Sequence, residues 1–227
     1  MLNPFRTAQL VLSSIRLYLH PDRLENVFSV VSAISTPELF EEMEEHLSSN
    51  PQGARAIRDR VRLGRIDLER LSALPEGTLG REFALFLTER GLTPETLTDQ
   101  AQEVDEYIST HLYETHDIWH VVTNFDTDIE GEIGLQAFYL AQHPWEKLAP
   151  ITMGVAMFKA ALSDEVHPTA LLEALVAGWR MGKQAEPLFG LDWAERWEQP
   201  LSALRREFDV APLRPQAPKL LEAVALA

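Results

Sequence analysis

The chain has 227 residues, 45% hydrophobic and 24% charged, a composition that belongs to globular domains and argues against disorder as the dominant state. It contains no cysteine, which excludes disulfide scaffolds, thiolate metal sites and cysteine nucleophiles. Its 35 acids against 20 Lys and Arg give a net charge of −15, a surface that repels phosphate backbones, so no nucleic-acid partner is expected.

Apolar residues recur at helical spacing over 5–19, 22–34, 37–48, 52–63, 81–90, 101–123, 131–142, 148–162, 168–185 and 201–208, and no alternating strand pattern of useful length occurs. The chain therefore reads as all-α. Prolines mark the divisions at His20-Pro21, Thr36-Pro37, Asn50-Pro51, Thr93-Pro94, His143-Pro144 and His167-Pro168. Thr36 and Thr93 have the pattern of N-caps followed by proline in the first turn. The expected organisation is one compact multi-helix domain over 1–213, with 1–75 as a semi-independent lobe and 214–227 as a flexible tail.

In the first segment Phe5, Ala8, Leu12, Ile15 and Leu19 share a helical spacing, and Arg6 and Arg16 interrupt it. That is neither a secretory signal nor a span of about 20 uncharged residues. Two readings stay open, a helix packed on the core and an interfacial helix that touches lipid. The stretch Arg55 to Arg70 is locally basic, with Arg55, Arg58, Arg60, Arg62, Arg65 and Arg70 against three acids. It reads as a solvated helix face or as a patch for an anionic partner. Farther on, Met153, Val155, Met157 and Phe158 with Leu171, Leu172, Leu175 and Trp179 supply either core or the wall of an apolar channel.

Between Gly91 and Glu146 there is no Lys or Arg, yet the stretch holds twelve acids together with His111, His116 and His120. Carboxylates gathered without cations repel one another unless they are solvated or meet a metal ion. His116 and His120 are four apart, so on a helix both imidazoles project from one face and can share a divalent ion. Asp117 sits at the edge of that face, as a further ligand or as a proton carrier. The polar run Thr123–Asp128 reads as a turn, after which Gly131 and Glu132 open a second, antiparallel helix that returns Glu132 to the histidines. Two His with one or two carboxylates suit zinc best, with iron(II), manganese or magnesium as alternatives. Leu135, Gln136 and Tyr139 follow Glu132 at three, four and seven residues and are expected beside it, as lining of a substrate pocket or as helix packing.

The pattern His116-Asp117-x-x-His120-x11-Glu132 resembles the signature of ubiquinone (coenzyme Q) biosynthesis proteins of the Coq-four type. The resemblance extends to Leu74-Pro75-Glu76-Gly77-Thr78-Leu79-Gly80-Arg81, to Gly131-Glu132-Ile133 and to Trp179, Gly182, Trp193, Trp197, Leu201 and Arg205. It implies an all-helical protein with a zinc site formed by His116, Asp117, His120 and Glu132, and an apolar channel for polyprenyl lipids. It further implies peripheral membrane association, contact with other quinone-biosynthesis enzymes, and C1 decarboxylation of a prenylated 4-hydroxybenzoate. Family members often carry arginines just before the motif, where this chain has His111, Leu112, Tyr113 and Glu114.

In such a reaction a divalent ion would act as Lewis acid on the headgroup and Asp117 as proton carrier. The competing reading is a non-catalytic scaffold that binds lipid and organises the pathway enzymes. A phosphohydrolase of the HD type is a third, and it needs a further histidine such as His20 or His46 and a later acid such as Asp164 or Asp192. The expected location is cytoplasmic, peripheral to the cytoplasmic face of the inner membrane, and a homodimer is one expected assembly.

Overall fold

The computed structural model describes residues 4–20, 23–94, 107–143, 147–164 and 166–212. These form α1 (Pro4–Leu19), α2 (Leu24–Ile34), α3 (Pro37–Ser48), α4 (Pro51–Asp59), α5 (Leu68–Ser72), α6 (Leu79–Arg90), α7 (Tyr107–Thr123), α8 (Ile129–Gln142), α9 (Leu148–Leu162), α10 (Pro168–Gln184) and α11 (Leu201–Glu207), with a 3-10 turn at Trp193–Arg196. Among the described residues there is no strand, only an isolated bridge between Thr78 and Pro200. The all-α expectation holds. The tail from 214 and the helix expected after Thr93-Pro94 lie outside the described residues, and the helix expected over 101–123 is described from Tyr107 onward.

Local chemistry sets the ends. Thr36 Oγ1 accepts from the Leu39 amide at 3.2 Å with Pro37 in the first turn, so α3 starts where the sequence places it. The helix expected over 52–63 stops at Asp59, because Arg60 turns left-handed at φ 49° and the chain beyond it is held by α7. There the carbonyl of Val61 accepts from Tyr107 Oη at 2.9 Å and lies 3.1 Å from His111 Nδ1. Helix α5 and the 3-10 turn are too short to leave a periodic signal in the sequence.

The core is built on α8 and α10, which run against each other at the closest approach the backbone allows. A Cβ at Gly178 would overlap the carbonyl oxygen of Gly134, and one at Gly182 would stand 2.7 Å from that of Phe138. Around this pair, Leu79, Phe83, Ile118, Trp119, Leu135, Phe138 and Trp193 are almost fully buried. Each removes enough apolar surface to contribute about 1.5–3 kcal/mol.

The Gly77–Arg81 stretch forms the start of α6, where Leu79 N donates to Gln199 O and Gly80 N to Trp197 O, both at 2.9 Å. Arg205 of α11 donates to the carbonyls of Val121 and Val122 at 2.8 and 2.9 Å, which places a cation on the otherwise unpaired last turn of α7.

The N-terminal helices pack into the rest of the chain. Leu39, Met43, Leu47 and Ala56 cluster with Tyr107, Ile108 and Phe189, and Gln52 Nε2 donates to the carbonyls of Pro187 and Phe189. Part of the basic 55–70 stretch is engaged inside the molecule. Arg62 forms a forked ion pair with the buried Glu114 of α7, Arg58 pairs with Asp59, and Arg70 reaches Glu198.

Candidate metal centre

The turn between α7 and α8 is what brings the two ends of the motif together. Asn124 takes a left-handed φ of 63°, and Asp128 caps α8 by accepting from Gly131 N at 2.7 Å. Gly131 is required here, since a Cβ would overlap the Asp126 backbone. Asp126 is also held from outside, by a forked ion pair with Arg90 of α6 at 2.7 and 3.0 Å.

The fold thereby gathers His116, His120 and Glu132, whose ligand atoms all lie within 4.8 Å of one another. The two imidazole Nε2 atoms are 3.2 Å apart. Glu132 oxygens stand 3.3 Å from His120 Nε2 and 3.9 Å from His116 Nε2. Zn–N and Zn–O bonds of ~2.0–2.2 Å around a tetrahedral ion separate adjacent donors by ~3.3 Å, which matches the two nitrogens and the Glu132–His120 approach, while the 3.9 Å from Glu132 to His116 is wider than such an ion needs. The remaining tetrahedral position would face water or a substrate.

The ring of His120 is fixed on its far side. Its Nδ1 lies 3.1 Å from the carbonyl oxygen of Phe125, which can only accept, so Nδ1 carries a proton; Nε2 faces the centre, as a lone pair in the neutral ring and as a donor to Glu132 in the protonated one. Phe86 stacks on the same ring at 5.7 Å, and the Arg90 guanidinium lies over the Phe86 ring at 4.0 Å. His116 is stacked on Tyr139 at 6.2 Å, and Tyr139 on Trp119 at 4.3 Å.

Electrostatically the three groups behave as one unit. Burial and the neighbouring His120 hold the His116 pKa below its usual value. For His120 burial acts in the same direction, but the hydrogen bond and charge of Glu132 outweigh it and the net shift is upward. Burial would raise Glu132; the hydrogen bond from His120 and the two imidazoles lower it instead.

Asp117 is not one of the converging groups, although its charge favours protonation of both imidazoles. The expected four-residue set thus appears as three ligand groups with Asp117 beside them. Among the described residues no other cluster of this kind occurs, and His20, His46, Asp164 and Asp192 are not part of this one.

A cavity of about 110 Å³ opens on His116. Its apolar wall comes from Val31 and Ile34 of α2, Leu39, Phe40 and Met43 of α3, and Leu112 of α7. Gln136 and Tyr139 line it, whereas Leu135, close to the same face of α8, is completely buried in the core. Of the α9 and α10 residues read as either core or channel wall, Leu171 is core, while Met157, Phe158, Leu172 and Trp179 face outward. Lys147 lies on the cavity rim, a cation at the first position after the long cation-free stretch. Sequence reasoning missed the parts played by Phe86, Arg90 and the Phe125 carbonyl, since a stacking partner and a backbone acceptor leave no spacing signal. Residues 2–214 match the family model described as "Coenzyme Q (ubiquinone) biosynthesis protein Coq4".

Relatives of known designation agree. A mitochondrial ubiquinone biosynthesis protein coq4 from Botryotinia fuckeliana (strain B05.10) is 30% identical over 87% of this chain and 71% of its own length. The COQ4 homolog of Danio rerio, also named as mitochondrial, is 32% identical over 74% of this chain and 63% of its own. Among solved structures, a crystal structure from Nostoc punctiforme PCC 73102, assigned to ubiquinone biosynthesis, superposes with a TM-score of 0.74 at 27% identity, covering 90% of this chain and 98% of that one. A match over nearly the whole chain, joined to this shared fold, places the protein in the Coq4 family of coenzyme Q biosynthesis proteins.

Proposed function

We propose that the chain acts in quinone biosynthesis by binding a prenylated 4-hydroxybenzoate and removing its C1 carboxyl group with the help of a divalent ion, zinc first among the candidates. One observation carries the reading: His116 belongs both to the three-group centre and to the wall of the apolar cavity. The aromatic head can therefore meet the centre while the start of the prenyl tail rests against Ile34, Leu39, Phe40 and Met43.

His116, His120 and Glu132 would hold the ion, which when bound supplies Lewis-acid stabilisation of negative charge on the headgroup. The remaining work falls to the chain itself. Gln136 and Tyr139 orient the ring from the cavity wall, and the Phe86–His120 and Tyr139–His116 stacks keep bulk water from the two imidazoles. As the bond from C1 to the carboxyl carbon breaks and carbon dioxide leaves, the electron pair stays on C1. A proton that Asp117 takes from water and passes on then completes the new C–H bond. Because the tail partitions into lipid, the reading includes peripheral attachment on the cytoplasmic face of the inner membrane, next to other quinone-biosynthesis enzymes. No described helix is long and apolar enough to cross a membrane.

The test is single-turnover decarboxylation of a short-chain prenylated 4-hydroxybenzoate by wild type and Asp117→Asn. Loss of carbon dioxide release in the variant, with lipid binding retained, supports the catalytic reading. Equal release by both removes Asp117 from the reaction. No release by either protein leaves a lipid-binding scaffold as the function.

A further inference from the structure

Outward-facing apolar side chains are confined to one part of the molecule. Among the described residues twelve large hydrophobics are exposed, and eleven of them lie on α1, α9 and α10; the twelfth is Leu85 of α6. On α10, Leu172, Val176 and Trp179 recur at four and three residues, and on α9 Phe158 and Leu162 recur at four, so each set forms a stripe on its helix. The helices adjoin, since α9 packs against both α1 and α10. Tyr18 of α1 meets Phe158 of α9 edge-on at 5.6 Å, which joins two of the stripes at the surface.

The same three helices invert the charge of the chain. They carry Arg16, Lys159, Arg180 and Lys183, together with Arg6, which donates to the Ser35 carbonyl at the end of α2, against a single acid, Glu173; Asp164 and Glu165 follow the end of α9 in the sequence. The protein as a whole has a net charge of −15, so the acids are concentrated elsewhere. Trp179 adds an amphipathic ring beside the Lys183 ammonium, 5.9 Å from its centre, a pairing suited to the headgroup level of a bilayer.

We propose that the α1–α9–α10 face docks on the surface of an anionic lipid bilayer. The apolar stripes enter the boundary between headgroups and acyl chains, and the cations meet lipid phosphates. The acidic remainder is repelled, which fixes the orientation. A second copy is a poorer occupant, because a two-fold contact through this face would set the cations of one protomer against those of the other. Docking here also has a consequence for the cavity, since Leu148 at the start of α9 lines it and thus joins membrane face to binding site.

This inference deepens the peripheral attachment included above and is independent of the metal centre. Its test is flotation of the full chain with vesicles of phosphatidylcholine alone or mixed with phosphatidylglycerol. The variants are Phe158→Glu/Val176→Glu, Arg180→Glu/Lys183→Glu and, as a control outside the face, Leu85→Glu. All these positions are exposed or, for Lys183 and Arg180, on the exposed side of α10, and thermal melts check folding. The charge-reversed pair keeps the test decisive if the apolar pair fails to fold. Wild type and Leu85→Glu are expected to float with the mixed vesicles, while both face variants lose binding about tenfold or more.

Equal flotation of the face variants and wild type would overturn the face while leaving peripheral attachment standing. Failure of wild type to bind either vesicle would overturn both. If wild type binds no vesicle and sediments as a dimer that Phe158→Glu/Val176→Glu splits, the face is an interface between copies and the bilayer proposal is wrong.

Discussion

Nδ1 of His120 lies 3.1 Å from the carbonyl oxygen of Phe125, five residues further along the chain and just past the end of α7. The contact ties the orientation of a buried imidazole to the shape of the turn that follows it. Anything that moves this turn therefore moves the pair of nitrogens on which the candidate centre depends.

The forked ion pair of Arg90 with Asp126 gives a direct way to loosen the turn. Arg90→Met is expected to weaken metal affinity by about 10-fold, the scale of an outer-shell contact, while the fold is retained. Asp126 is exposed, so the stability cost should stay near 1 kcal/mol or below. Competition with a chromogenic zinc chelator reads the affinity, and an unchanged value would mean that the turn holds its shape without Arg90.

Helices α8 and α10 touch through glycine. Gly178→Ala has no room for its methyl group against Gly134 O, so the helices must separate. The expected loss is about 3 kcal/mol, or a fall in Tm of roughly 6–12 °C. Since α8 carries Glu132, metal affinity should fall with it. A thermal melt within a degree of wild type would show that the helices can shift at little cost.

Glu114 is buried and Arg62 half-exposed, so their pair is asymmetric. Arg62→Met leaves a carboxylate in the interior with the Leu63 amide as its hydrogen-bond donor, and should cost about 2 kcal/mol once the partial exposure of Arg62 is allowed for. Replacing both residues, Arg62→Met with Glu114→Leu, should cost less than Arg62→Met alone. Urea denaturation of the two variants decides it, and additive losses would contradict the account.

Acid should unfold the protein earlier than its carboxylates alone would cause. His111 is buried, its Nδ1 facing Val61 O and its Nε2 accepting from Gly190 N at 3.3 Å, and burial pushes its pKa down to about 4. His143 is pushed down to about 3 by burial. In the unfolded chain both return to about 6.5 and take up protons that the folded state refuses. Their contribution is therefore complete above pH 6.5 and is lost as the pH falls toward 4, at about 2–3 kcal/mol for His111 by pH 4.5. Stability measured from pH 7 to 4.5 should show this slope and show less of it in His111→Gln; identical profiles would remove His111 as its source.

Much of the fold could be read from the sequence, because long helices with a core-facing stripe keep their period. Helices α3 and α9 begin and end where apolar spacing and a preceding cap or turn place them. What escaped was set by contacts far apart in sequence: the stop at Arg60, where α7 takes the Val61 carbonyl, and the short α5. At the site, His116, His120 and Glu132 were legible because one helical turn and one tight turn bring them together locally. The cavity wall was not, since it is made by α2 and α3, far upstream of the motif in the sequence, and apolar residues on α9 and α10 carry the same hydropathy whether they line a channel or face outward. Of the two readings open for Leu135 the core one holds, since a residue three after Glu132 can face the core as readily as the site.

If His116, His120 and Glu132 hold a divalent ion, plasma mass spectrometry of protein purified without chelator will find it. About one zinc per chain is expected in wild type and in Asp117→Asn, and a near-complete loss in His120→Ala, whose remaining two ligand groups cannot close a tetrahedral site. Wild-type protein free of stoichiometric metal, or His120→Ala with its full complement, would contradict that binding site.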